Sequence, residues 1–155
     1  GEAEFDVGTK TVMCGRNPDI LKFWLTWLYH GREGLEYRVN HAIENANLFV
    51  SLIKKRPERF QLIHDKPEFA NVGFFYLTPT IRKLEKGSKE WKDALNKLAP
   101  IMYREMRVQG NIMVSTAPLP DGTPFFWRII ILNEKINEPE LEFILDEFER
   151  IGEKF

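Results

Sequence analysis

One cysteine, Cys14, is all that the 155-residue chain contains. That excludes an internal disulfide and any thiolate-based zinc site, and it fits a reducing compartment, so a cytoplasmic location is expected. Charge of one sign is also missing: 22 Lys and Arg stand against 23 Asp and Glu, a formal charge of -1. Nothing here draws in a phosphate backbone over a long range, and no cluster joins basic residues to exposed aromatics, so a nucleic-acid partner is not expected. No apolar run approaches the roughly 20 residues of a membrane span, and Gly-Glu-Ala-Glu-Phe-Asp at the start has neither the basic nor the apolar region of a secretory signal. The first residue is Gly rather than Met, from which a cleaved, tagged or excised product is expected.

Self-contained catalytic motifs are absent as well. There is no Gly-rich phosphate loop, no His-Glu-x-x-His, no Gly-x-Ser-x-Gly and no EF-hand loop, each of which needs particular residues at fixed spacing. His30, His41 and His64 stand too far apart for a local metal site and are read as surface or packing histidines. No metal ligand set is assigned.

What is present is enough apolar material, 43% of residues, for one core. Residues 1 to 16 read as irregular, with a possible short strand at Thr9 to Met13. A helix should begin at Asn17 or Pro18, with Asp19 favourable in its first turn, and stop near Gly31. Leu21, Trp24, Leu25 and Leu28 form one face of it while Phe23 and Trp27 cover a second, so it is apolar nearly all round. A second helix should run from Glu33 to Lys55, with Leu35, Val39, Ala42, Ile43, Ala46, Phe49, Val50 and Ile53 as its inner stripe.

Strands are expected at Phe60 to Ile63 and Asn71 to Leu77. Residues 81 to 97, charged around Leu84, Trp91, Leu95 and Leu98, read as a solvated surface helix or linker. Pro100 is expected to start a new helical turn with Ile101, Met102, Met106 and Val108 on one side, ended by Gly110. Two further strands, Ile112 to Thr116 and Phe125 to Leu132, flank a Pro- and Gly-rich loop. A last helix runs from Glu138 or Pro139 to Ile151, with Leu141, Ile144, Leu145 and Phe148 inward. This order makes a small α+β domain with a largely antiparallel sheet and helices on one face. The first helix carries more apolar surface than one such layer can cover, which points to an oligomer or to another domain lying against it.

Three residues invite a functional reading on chemistry alone. Cys14 precedes a helix start, where amides and dipole would lower a thiol pKa, although a lone cysteine is also a small hydrophobe. Arg16 sits at the same entrance with the wrong charge for the dipole, and is read either as reaching a carboxylate, a phosphate or a partner subunit, or as a plain surface arginine. Arg128 interrupts the run Phe125-Phe126-Trp127-Arg128-Ile129-Ile130-Ile131-Leu132. An arginine inside such a strand either forms a structural ion pair or receives an acidic ligand group.

The segments VMCGRNPDILKFWLTWLYHG, EFANVGFFYLTP, LAPIMYREMRVQGNIMV, FFWRIIILN and LEFILDEFERIGEKF together resemble the carboxy-terminal third of the group II pyridoxal-phosphate-dependent amino-acid decarboxylases, in the glutamate and cysteine-sulfinate branch. The resemblance covers essentially the whole chain. It implies a carboxy-terminal small domain of a fold-type I enzyme: residues 1–30 would end the large cofactor-binding domain, 31–56 would link, and 57–155 would form the small domain.

It further implies a homodimeric carboxy-lyase of acidic amino acids (glutamate, aspartate or cysteine sulfinate), in which Arg128 takes the place of the substrate-carboxylate arginine. Cys14, Gly15 and Arg16 would be candidates for an active-site or interface position. The Schiff-base lysine and the other groups that hold pyridoxal phosphate lie upstream in the family, so no catalytic residue is assigned and no covalent cofactor is expected on this chain. A companion polypeptide or upstream segment would carry the cofactor. An inactive processed domain with a structural or regulatory role is the alternative, and an aldehyde-forming relative a third.

The chain departs from the family pattern in reading Phe-Phe-Trp-Arg with one extra residue between Gly110 and the arginine. It also lacks a Gln-Pro at Ala117 to Pro120 and has Arg-Asn-Pro at the helix entrance.

Overall fold

The computed structural model describes residues 18–119 and 121–155. Cys14, Gly15 and Arg16, the expected strand at Thr9 to Met13 and the Asn17 cap lie outside the described residues. By compactness the chain divides into two units, Gly1–Arg38 and Val39–Phe155.

The described part of the first unit is the opening of helix α1, Asp19–Lys54. The expected break stands at Gly31, whose φ of 62° and ψ of -173° are non-helical and suit a residue without a Cβ. It is narrower than two separate helices would require, because a single residue absorbs it. Around this opening, Ile20, Phe23, Trp24, Leu25 and Leu28 are each more than half exposed. No described helix is long and apolar enough to cross a membrane.

The second unit is built on a four-stranded antiparallel sheet of β1 (Phe60–Leu62), β2 (Asn71–Tyr76), β3 (Ser115–Ala117) and β4 (Phe126–Ile130), in the order β1-β2-β4-β3. Phe60 lies opposite Tyr76, Leu62 opposite Phe74, and Phe74 opposite Trp127, which puts these side chains on one face. That face receives Phe49 from α1 and Phe148 from helix α3 (Glu138–Gly152), with ring centroids 5.8 and 5.2 Å from Phe74. Phe148 also meets Trp127 edge-on at 5.0 Å, so one ring ties three elements together. Phe75 points the other way and meets Trp91.

The inner stripe of α1 is Ala42, Asn45, Ala46, Phe49, Val50, Leu52 and Ile53. Val39 and Ile43, expected inside, are 45% and 37% exposed. Asn45 takes the inward place because its amide donates to the Ile136 carbonyl at 2.6 Å, satisfying a polar group that burial would otherwise penalise. His41 Nε2 is within 3.2 Å of the same carbonyl, a packing role.

Helix α2, Lys89–Gln109, differs most from the expectation. Ser88 caps it by accepting from the Trp91 amide at 3.1 Å, and Gly110 ends it with φ 75° and an amide donating to the Met106 carbonyl. Pro100 starts nothing; it lies inside one continuous helix, on the exposed side, where the carbonyl it frees can be hydrated. Of the two readings for residues 81–97, the surface helix holds from Lys89 on: Lys89, Glu90, Lys92, Asp93 and Lys97 are exposed while Trp91, Leu95 and Leu98 are inside. Met102 and Met106 continue that row, whereas Ile101 and Val108 are 46% and 73% exposed. A 3₁₀ turn at Ile81–Lys83 precedes α2. Strand β3 is shorter and later than expected, and β4 stops at Ile130. The Asn137 amide donates to Glu140 Oε2 at 2.8 Å in a capping box, so α3 begins as expected.

Glu147 is the buried carboxylate of α3. Arg150 Nε and Nη2 donate to its two oxygens at 2.7 and 2.8 Å, and Asn111 Nδ2 donates at 3.0 Å. The Arg150 hydrogen bonds, joined by Asn111, hold its carboxyl below the usual range against the opposing effect of burial. A depressed folded-state pKa contributes stability that is present above the unfolded value and lost as pH falls through the folded one. Glu147→Gln should therefore lower the melting temperature at neutral pH, and the gap to the parent should close below about pH 4. A gap that stays constant from about pH 7 to pH 3 would assign the loss to packing alone.

Candidate functional site

Arg128 sits in the middle of β4, between Trp127, which is buried in the aromatic cluster, and Ile129. Because side chains alternate along a strand, Arg128 shares the opposite face with Phe126 and Ile130. The β3–β4 ladder is regular from Ala117 opposite Phe126 to Ser115 opposite Arg128, so no bulge turns the arginine inward. Its partner on the other side is Gly73 of β2. Arg128 is thus flanked across the sheet by two of the smallest residues, and its side chain is exposed.

Beside it lies a hollow of about 340 Å³ bounded by Ile63, His64, Asn71, Gly73, Phe126 and Arg128, with Lys66 and Glu68 also on its wall. A second hollow of about 390 Å³, reached by Arg128 from the other flank, is bounded by Tyr103, Val114, Ser115 and Ile144. Among the described residues no carboxylate lies within ion-pair distance of Arg128, whereas Arg56 and Arg59 each have two and Arg150 has one. Arg56, for instance, reaches Asp146 and Glu149 at 2.6 and 3.0 Å. The structural ion pair, one of the two readings open from sequence, therefore has no partner among the described residues. A planar guanidinium left available beside a concave surface of mixed polarity can take a carboxylate through two parallel hydrogen bonds.

Gly73, Ile63 and Asn71 carry no site reading in the sequence, and His64, read there as a surface or packing histidine, lines the hollow. The available signal was Gly73 itself, since glycine in a strand interior often marks a close approach. Among the described residues no group of three metal-ligating side chains occurs.

Pyridoxal phosphate does not fit the described residues. A Schiff-base lysine has to shed its proton in a desolvated place, and the pyridine nitrogen needs a buried carboxylate. No described lysine is buried, and the buried carboxylate, Glu147, is already engaged by Arg150 and Asn111.

Residues 2–77 match the pyridoxal-dependent decarboxylase conserved domain. Over 151 residues the chain is 37% identical to acidic amino acid decarboxylase GADL1 of Xenopus tropicalis, covering 97% of this chain and 29% of that protein. Human cysteine sulfinic acid decarboxylase is 36% identical over 152 residues, covering 98% and 30%. The crystal structure of mouse CSAD in apo form matches all of this chain and 33% of its own, with a TM-score of 0.81 and 33% identity. The chain spans less than a third of the length of these curated relatives. Its sheet and flanking helices are those of the carboxy-terminal subdomain of a fold-type I decarboxylase, and the chain belongs to the group II pyridoxal-phosphate-dependent decarboxylases, in the branch of the acidic amino acid and cysteine sulfinic acid enzymes.

Proposed function

We propose that this chain is the carboxy-terminal part of a carboxy-lyase acting on acidic amino acids, and that Arg128 binds a carboxylate of the substrate. The observation that carries this reading is the exposed guanidinium of Arg128, without a carboxylate partner among the described residues, beside the hollow over Gly73. Pyridoxal phosphate, when bound in the complete protein, supplies the electron sink for loss of carbon dioxide. The lysine that holds it belongs to the upstream part, a reading supported by the absence of a buried lysine among the described residues and by the share of each relative that this chain leaves uncovered. Residues 1–30 then end the large domain, 31–56 link, and 57–155 form the small domain. Within that arrangement this chain's task is to neutralise and orient one acidic group of the substrate. The exposed apolar side chains of Ile20 to Leu28 support a covering surface from the upstream part or from a second subunit.

The test is Arg128→Lys in the assembled enzyme. Lysine keeps the charge and loses the fork, so kcat/KM should fall roughly 10-fold or more, with the melting temperature essentially unchanged because the side chain is exposed. A lower melting temperature with kcat/KM untouched would return Arg128 to a structural role.

A further inference from the structure

The hollow owes its shape to a missing side chain. A Cβ built on Gly73 would lie 3.1 and 3.2 Å from two ring carbons of Phe126 and 3.3 Å from Ile63 Cγ1. The Phe126 ring therefore leans diagonally across the sheet and rests on the backbone of Gly73, within the reach that aromatic side chains have to a neighbour two residues off register. Phe126 and Arg128 are two apart in β4 and share that face. The ring, 8% exposed, is thus a fixed wall next to the arginine, and Gly73 is its seat.

We infer that Gly73 is a positioning residue for Arg128: by carrying no side chain it seats the Phe126 ring against the sheet and keeps open the space in which the guanidinium meets the substrate's carboxylate. The inference rests on the reading of Arg128 as the carboxylate site. A Cβ at position 73 stands out of the pleat toward the ring, so Phe126 can yield only outward, into the hollow. The same methyl would come within cross-strand contact of the Arg128 stem, because the two residues are direct partners. Both displacements act on where the anion sits and leave the reacting bonds untouched. The expected signature is weakened binding at nearly constant turnover.

The experiment measures, in the assembled enzyme, KM and kcat for an acidic amino acid and the inhibition constant of glutarate, an unreactive dicarboxylate. Gly73→Ala should raise KM and the glutarate constant together by about 10-fold, the scale of overfilling a packed site by one methyl, with kcat within about 3-fold. Adding Phe126→Leu should recover most of the loss, since the smaller side chain leaves room for the methyl. Unchanged constants in Gly73→Ala, or a loss that Phe126→Leu does not relieve, would overturn the inference. If Gly73→Ala does not fold, Phe126→Trp enlarges the ring seated on Gly73 and drives it into the same hollow: a raised glutarate constant upholds the inference and an unchanged one overturns it. Arg128→Lys separates the two ideas. No effect of Arg128→Lys sinks the carboxylate reading itself, whereas an effect of Arg128→Lys without one of Gly73→Ala sinks only the role of Gly73.

Discussion

Gly152→Ala should cost the unit Val39–Phe155 about 3 kcal/mol, the upper part of the range for overpacking, and lower its melting temperature by roughly 10 °C. Helix propensity argues the other way, since alanine is better than glycine inside a helix by about 1 kcal/mol. Sterics decide the sign. A Cβ at Gly152 would lie 2.0 Å from Tyr76 Cε1, 2.6 Å from its Cζ and 2.8 Å from its hydroxyl oxygen, which is overlap with a ring rather than with a flexible chain end. Tyr76 has nowhere to go: it is fully buried, 5.3 Å from the Phe60 ring and 6.1 Å from Phe148.

The last turn of α3 must lift instead, and that turn holds the buried Ile151 together with Glu149 and Glu153, which pair with Arg56 and Arg59. The Arg59–Glu153 contact, at 2.9 Å, would be the first to part. Thermal unfolding of the variant, alone and combined with Tyr76→Leu, checks this. A melting temperature equal to the parent's, or a double variant no better than the single one, would show that the last turn shifts freely.

Where the sequence reading succeeded, a periodic pattern coincided with a local signal. The last helix, expected from Glu138 or Pro139, starts at Glu138, and of its expected inward residues Leu141, Leu145 and Phe148 are buried and Ile144 is half-buried. At Gly31 the glycine marks a true break, though of one residue. At Pro100 two signals conflict: the proline predicts a new start, the apolar row a continuous helix. The row Trp91, Leu95, Leu98, Met102, Met106 keeps one helical face across the proline, so the buried row outweighs the lost hydrogen bond. Val39 and Ile43 were misplaced for a different reason: a polar residue, Asn45, took the buried place because of a carbonyl 91 positions away, which no local pattern shows.

The candidate site was legible in one residue and not in its surroundings. Arg128 stood out because a charge interrupts an apolar run, and alternation then fixes its face once Trp127 is known to be inside. Its neighbours come from register. Gly73 and Ser115 flank Arg128 only because β2 and β3 pair with β4 in this alignment, and strand order is not written in any one segment. His64 and Asn71 reach the hollow from either end of the turn between β1 and β2, where composition says only that the chain reverses.

The chain by itself, without further polypeptide, should self-associate and bind a hydrophobic dye, and removing its first 30 residues should abolish both. The core of Val39–Phe155 is complete within that unit, from Ala46 to Ile151, so the deletion leaves it intact. The opening of α1 is different. Ile20 is 87% exposed, Phe23 62%, Trp24 53% and Leu28 60%, and they occupy more than one side of the helix. Burying a large apolar side chain fully gains about 1.5–3 kcal/mol, so several of them at half that value leave enough driving force to offset the roughly 4–15 kcal/mol cost of association in part or whole. A surface of this kind needs covering on several sides, and the relatives are more than three times as long as this chain. Alone, the same surface has only other copies to meet. Sedimentation over a range of concentrations, with dye fluorescence alongside, measures the effect. A monodisperse monomer that leaves the dye dark before deletion would show that these side chains find cover within a single chain.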